Sequence, residues 1–185
     1  LAIIMNDINR AYSGEKLEPE TYTSYDLALD NRDALAGDIY ENAEGYYRSV
    51  FENAGGSISF YPDKNGAAPT AELYHRETRS ISVQDVKEFC KKHGITENVF
   101  FISAFGITLG KYNFKKDAVF TTIYHGRNDS RLSETVGMLV KTLPVYCNFA
   151  GSTEQCLTEV QKQLINSMNN DIYPFSQISH EFNIK

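Results

Sequence analysis

The sequence predicts an α/β (α+β) fold, a mixed sheet flanked by helices. Three observations carry that reading. Several segments repeat apolar residues at helical spacing. The run AVFTTIYH, Ala118–His125, is β-branched and aromatic, as strands are. The elements follow in the order helix, helix, linker, strand, two helices, strand, strand, two helices. A chain of 185 residues can bury a sizeable core as one domain, or as one lobe of something larger.

The chain opens on LAIIMNDINRAY, where Leu1, Ile4, Met5, Ile8 and Tyr12 share one helical face. No capping residue precedes this helix and no stop signal follows FSQISHEFNIK, so the sequence reads as part of a longer parent. Ser13–Gly14 ends the first helix, and Pro19 stiffens a polar loop. A second helical stretch covers Asp26 to Ala54, with breaks expected near Gly37 and Gly45; Tyr40, Tyr46, Tyr47, Val50 and Phe51 are its apolar members. Residues 1–54 thus form a helical segment, and Gly55–Thr70, rich in Gly, Pro and Asn, forms a linker. Residues 71–185 form the remaining lobe, opening on a strand over Ala71–Arg79.

Ser82 and Asp85 make a capping-box-like start for a helix bearing Val83, Val86, Phe89 and Cys90, and Gly94 stops it. Thr96–Tyr112 is apolar nearly all round, which predicts a helix buried on most sides. Lys115–Lys116–Asp117 turns the chain into the AVFTTIYH strand. A second strand resumes at Gly137 and is broken by Pro144. Beyond Gly151–Ser152, Leu157, Val160, Leu164 and Met168 repeat at helical spacing, and Pro174 starts a short last helix.

Composition excludes several classes of function. A net charge of −6 and scattered basic residues argue against general nucleic-acid binding. Cys90, Cys147 and Cys156 are odd in number and lack C-x-x-C spacing, which predicts neither a disulfide framework nor a zinc site and fits a reducing, cytoplasmic setting. The longest mostly apolar run, Val99–Leu109, falls short of the roughly 20 residues that span a bilayer.

The reactive side chains have plain explanations. His75 reads as solvent-facing in a strand, His93 as a helix-end cation suited to the helix dipole, and His180 as a surface partner of Glu181. His125 ends a strand just before Gly126–Arg127, where α/β sheets place ligands, but no nucleophile is paired with it. No G-x-S-x-G elbow or phosphate loop occurs, and no histidines have metal-ligand spacing. Asp26/Asp30/Asp33 and Glu41/Glu44 read as solvated helix faces. Arg127 and Arg131 suit either an anion or an ion pair that fixes the loop shaped by Asn128 and Asp129. Chemistry alone yields no catalytic apparatus.

Four stretches in sequence order nevertheless carry a resemblance. AYSGEKLEPETYTSYDLAL, then KKHGITENVFFISAFGITLGKY, then Gly126–Arg127 with Gly137 and VKTLPV, then DIYPFSQISHEF resemble landmarks of condensation domains. These domains belong to nonribosomal peptide synthetases and to the chloramphenicol-acetyltransferase-like superfamily. The resemblance spans nearly the whole chain. It implies a lobe of a two-lobed, V-shaped domain with the active site in a channel between lobes. It also implies an enzyme that forms an amide between a carrier-bound acyl or peptidyl thioester and a carrier-bound amine. The family's His-His-x-x-x-Asp-Gly motif belongs just before Leu1, and no His-His pair occurs here, so no residue of this chain is expected to be catalytic.

The same resemblance implies that His125, Gly126, Arg127, Gly137, Lys141, Thr142 and Pro144 wall the channel or hold its structure, with Arg127 a structural clamp for the crossing loop. Lys141 replaces the family's usual Asn, His125 stands where a small residue is common, and Asp171 or Tyr173 lies near the family's histidine before Pro-Phe. No metal and no directly bound cofactor is implied; phosphopantetheine arms sit on partner carrier proteins. Neighbouring synthetase domains and the N-terminal lobe are further partners, and an exposed apolar face is expected where that lobe belongs. The alternatives are a non-catalytic docking module, or a relative that makes esters, epimerises, cyclises or transfers acyl groups to a small molecule.

Overall fold

A computed structural model describes residues 2–52, 54–60 and 77–184. Its elements are α1 (Ala2–Tyr12), α2 (Ser24–Leu35), α3 (Asp38–Phe51), α4 (Val83–His93), α5 (Glu97–Tyr112), β1 (Asp117–Tyr124), a 3-10 turn (Ser130–Leu132), β2 (Lys141–Asn148), α6 (Thr153–Asn169) and α7 (Phe175–Phe182). Among the described residues, β1 and β2 pair in a two-stranded sheet. The predicted mixed α/β class is therefore observed, with a small sheet and helices around it.

Local chemistry explains most boundaries. Thr23 and Asp26 cap α2 reciprocally, each accepting the other's backbone N–H. Ser82 accepts from Asp85 N at 3.2 Å, and Gly94 closes α4 at φ 63°. Thr96 accepts from Val99 N to start α5, and Ser152 with Gln155 makes a capping box for α6.

Four expectations change. The long second helix is two, divided at Gly37, the N-cap of α3; Gly45 sits within α3 and breaks nothing. The second strand begins at Lys141, not Gly137, and runs through Pro144. A two-stranded ladder leaves each strand one unpaired edge, where a residue without an N–H is tolerated. Helix α5 buries Val99, Ile102, Ser103, Gly106, Leu109 and Gly110, but Phe101 and Phe105 stay nearly half exposed. Glu181 pairs with Arg48 and accepts from the Tyr173 hydroxyl, rather than serving His180. Of the predicted linker, 55–60 is irregular and 61–70 lies outside the described residues; the strand expected over Ala71–Arg79, with His75, falls outside them up to 76 and is irregular at 77–79.

The chain divides into two compact units, each with its own core. The first comprises the described residues of Leu1–Asn53, Thr121–Pro144 and Ile165–Asn183. Its centre is aromatic: Tyr47 stacks on Phe51 and on Tyr173, Tyr40 lies 5.2 Å from Tyr173, and Phe51 meets Phe182. Tyr47 also donates to the Ser167 carbonyl at 3.2 Å, which satisfies its buried hydroxyl. Helix α1 buries no residue; the apolar face read from Ile4, Met5 and Ile8 is exposed.

The second unit comprises the described residues of Ala54–Phe120, Val145–Leu164 and Ile184–Lys185. Its core joins Cys90, Val99 and Leu109 to Ala118, Val145, Cys147 and Val160. Each such valine or leucine contributes about 1.5–3 kcal/mol by leaving water. The approach of α5 depends on Gly106, where a Cβ would lie 2.7 Å from that of Cys147. No helix among the described residues is long and apolar enough to cross a membrane.

Candidate functional site

The signature residues converge in the first unit. Strand β1 ends at Tyr124, and the backbone turns at Gly126 with φ 70°. A Cβ there would lie 1.8 Å from the Leu139 carbonyl oxygen, so only glycine lets these two segments meet. His125 Nδ1 accepts from the Arg127 N–H at 3.0 Å, which orients its imidazole toward its own turn. Arg127 Nη1 donates to the carbonyls of Leu132 and, at 3.0 Å, Thr135. The guanidinium is thus committed to backbone on the far side of the loop, a geometry its rigid fork suits.

Arg131 is committed as well. It forks onto Asp129, reaches Asp30 at 3.1 Å and lies over the Tyr22 ring at 4.4 Å. Its hydrogen bonds hold the Asp129 carboxyl below the usual carboxylate range, and Asp129 in turn raises the guanidinium. Between the two readings of Arg131, the ion pair is the one present. Thr135, buried, donates to the Tyr22 carbonyl at 2.6 Å, and Glu20 accepts from Val136 N–H. The polar loop is therefore stitched to the segment before α2.

Three cavities border these residues. One of about 370 Å³ is lined by Leu35, Leu143, Ile172, Tyr173, Pro174 and Phe175, with Asn31, Lys141, Thr142 and Asp171 at its polar part. A second, about 400 Å³, includes Gly126, Asn128, Asp129 and Met138, and shares Asn31, Lys141 and Asp171 with the first. A third, about 370 Å³, is lined by Ile3 and Ile4 of α1 with Arg127, Thr135, Val136, Gly137 and Met138. Of the residues singled out from sequence, Gly126, Arg127, Gly137, Lys141 and Thr142 line at least one of these, whereas His125 and buried Pro144 line none of the three.

Lys141 Nζ lies 2.9 Å from Asp171 Oδ1 and donates to the Asp171 carbonyl at 3.1 Å. Two positions noted separately as departures from the resemblance thus form one ion pair, in the wall shared by two cavities. Above it, burial raises the Tyr124 phenol, and the charge of Asp171 adds to the effect. Burial also pushes Tyr173 up to about 12, aided by its hydrogen bond to Glu181.

Sequence reasoning missed Asn31, Leu35, Ile172 and Phe175 as cavity residues and Tyr22, Glu20 and Thr135 as loop anchors. Their one signal was the resemblance of the stretches that contain most of them. Among the described residues no group of three or more His, Cys, Asp or Glu could hold a metal ion. The arrangement offers walls, a paired charge and hydrogen-bond donors, without an activated nucleophile.

The sequence matches the family described as Condensation domain over residues 1–185. Nonribosomal peptide synthetase sidC of Arthroderma benhamiae is 29% identical over 180 residues, covering 96% of this chain and 3% of the relative. Surfactin synthase subunit 1 of Bacillus subtilis is 25% identical over 193 residues, covering all of this chain and 5% of that protein. Among solved structures, SgcC5 from Streptomyces globisporus superposes with a TM-score of 0.76 at 19% identity, covering 98% of this chain and 43% of its own. The first condensation domain of the calcium-dependent antibiotic synthetase, bound to a substrate analogue, gives 0.70 at 15% identity, with 94% and 39% covered. The X-domain in complex with OxyB from teicoplanin biosynthesis gives 0.73 at 15%, with 100% and 44% covered. The chain thus spans a few per cent of these synthetases and under half of each solved chain.

Proposed function

The chain belongs to the condensation-domain family, and from that premise we propose that it is the C-terminal part of such a domain, starting after the His-His-x-x-x-Asp-Gly motif. The parent is then an acyltransferase of a nonribosomal peptide synthetase. Residues 1–54 are the helical segment that follows the motif, 55–70 a linker and 71–185 most of the C-terminal lobe. The observation that carries the reading is the contact of the two halves of the signature, Gly126 against Leu139, beside cavities lined by both halves.

In the proposed reaction the amine nitrogen of the acceptor attacks the thioester carbonyl of the donor. The carbon–sulfur bond breaks, and the departing thiolate takes the proton that the amine loses. A thioester needs little further activation, so alignment and proton transfer suffice. The phosphopantetheine arms belong to the carrier partners. Gly126, Arg127, Gly137, Lys141 and Thr142 line the wall of the channel, His125 and Pro144 hold its structure, and none of them reacts. Without a His-His pair, this chain alone is proposed to be inactive. The setting is cytoplasmic, with carrier proteins, neighbouring synthetase domains and the N-terminal lobe as partners.

Peptide mapping of the parent protein tests the reading. His-His-x-x-x-Asp-Gly directly before Leu1 supports amide condensation, and a motif without its second histidine removes that chemistry. A docking module is the second reading. It is favoured by the exposed apolar face of α1 and by the likeness to an X-domain that is found in complex with OxyB.

A further inference from the structure

The odd cysteine count predicts no disulfide, yet the fold brings two of the three thiols together. Cys147 of β2 and Cys156 of α6 have their Sγ atoms 3.3 Å apart, and both side chains are buried. Helix α5 presses on Cys147 at Gly106, where an added Cβ would meet its Sγ at 2.8 Å, so the thiol has little room to turn away. The connection between the two is short, bonded within itself and to the residue before β1. Phe149 N donates to Lys116 O, Ala150 N to Asn148 Oδ1, and Cys156 N to Ser152 O. A disulfide requires the sulfurs to close to about 2.05 Å with a C–S–S–C dihedral near 90°.

We propose that Cys147 and Cys156 form a reversible disulfide, a modification site whose oxidant is a small disulfide such as oxidised glutathione. Cys156 is the first to react. Its contact with the Cys147 thiol holds Cys156 down and pushes Cys147 up. Opening of the exposed 150–152 turn gives the reagent its path. The Cys156 thiolate attacks one sulfur of oxidised glutathione and releases one glutathione thiolate. Cys147 then attacks the Cys156 sulfur of the mixed disulfide and releases the second. The protein loses two hydrogens, and the two glutathione molecules gain them. Cys90 lies in the same core but outside this contact, so it stays a thiol.

The test holds the protein in glutathione buffers of increasing oxidation, quenches with acid, unfolds it, alkylates with N-ethylmaleimide and maps the peptides by mass. The expected product is one linked pair, Cys147 with Cys156, two hydrogens lighter, with Cys90 alkylated throughout. Closing so short a loop is also expected to raise the melting midpoint by about 5 °C, reversed by dithiothreitol. Full alkylation of Cys147 and Cys156 at every buffer ratio overturns the proposal, as does a cross-link through Cys90. A Cys90→Ala variant is expected to form the same pair, and its failure to do so while folded equally overturns the assignment.

Discussion

Lys141→Met keeps a long unbranched stem and removes the charge that meets Asp171, so it isolates the ion pair in the shared cavity wall. The two side chains are 31% and 23% exposed, so the pair is neither fully solvated nor buried. At 2.9 Å, the gross attraction in an effective dielectric of about 20 is roughly 6 kcal/mol. Desolvation and side-chain ordering offset most of it, and partly exposed pairs retain about 1 kcal/mol of coupling. The hydrogen bond to the Asp171 carbonyl is lost too, which takes the expected cost of Lys141→Met to about 1–2 kcal/mol. Asp171→Asn is expected to cost less, because an amide oxygen still accepts from Nζ and the backbone carbonyl is untouched. Urea unfolding of both single variants and the double variant closes the cycle. Coupling near 1 kcal/mol that shrinks in 1 M salt agrees with the geometry. Strict additivity within about 0.3 kcal/mol refutes the pair as an energetic link.

Two glycines with positive φ give a paired contrast. Gly126→Ala is expected to cost about 3 kcal/mol or more, because its Cβ meets the Leu139 carbonyl, whereas Gly94→Ala, with nothing within 4 Å, costs about 1 kcal/mol of backbone strain alone; equal costs in urea unfolding contradict the packing described. Arg127→Lys keeps the charge but loses the planar guanidinium whose Nη1 donates to two carbonyls, so amide exchange of Leu132–Thr135 is expected to speed up, and unchanged protection there counts against the clamp. The Asp26 and Asp129 carboxyls are held low, Asp26 first by the Thr23 hydroxyl and Asp129 first by Arg131. A depressed folded value means their stabilisation is present above the ordinary carboxylate pKa of about 3.9 and lost as pH falls below it. Thermal unfolding from pH 6 to 2 is expected to show this fall, and Asp26→Asn to flatten it; an unflattened profile removes Asp26 from the account.

Much of the fold was legible because its signals are local. Ser82 and Gly94 mark helix ends by hydrogen bonds within a few residues, and the structure uses both as read. Gly37 and Gly45 look alike in sequence, but only Gly37 sits where α2 has already ended, so propensity could not choose between them. The strand after Gly137 starts late because residues 137–140 hold no place in the ladder, and ladder partners are not written in a single segment. The site was legible through its signature and not through its contacts. Lys141 and Asp171 are thirty residues apart, and nothing local to either foretells the pair. The Cys147–Cys156 contact is hidden in the same way, since it arises only when α6 packs on β2.

We propose that this chain is part of an amide-forming condensation domain. The most direct measurement incubates the parent domain with an acyl-loaded donor carrier and an aminoacyl-loaded acceptor carrier, then weighs both carriers intact. The acceptor is expected to gain the acyl mass while the donor arm returns to a free thiol, and these 185 residues alone are expected to transfer nothing. Carriers that bind the parent domain yet keep their original masses contradict the proposal and leave a docking module in its place.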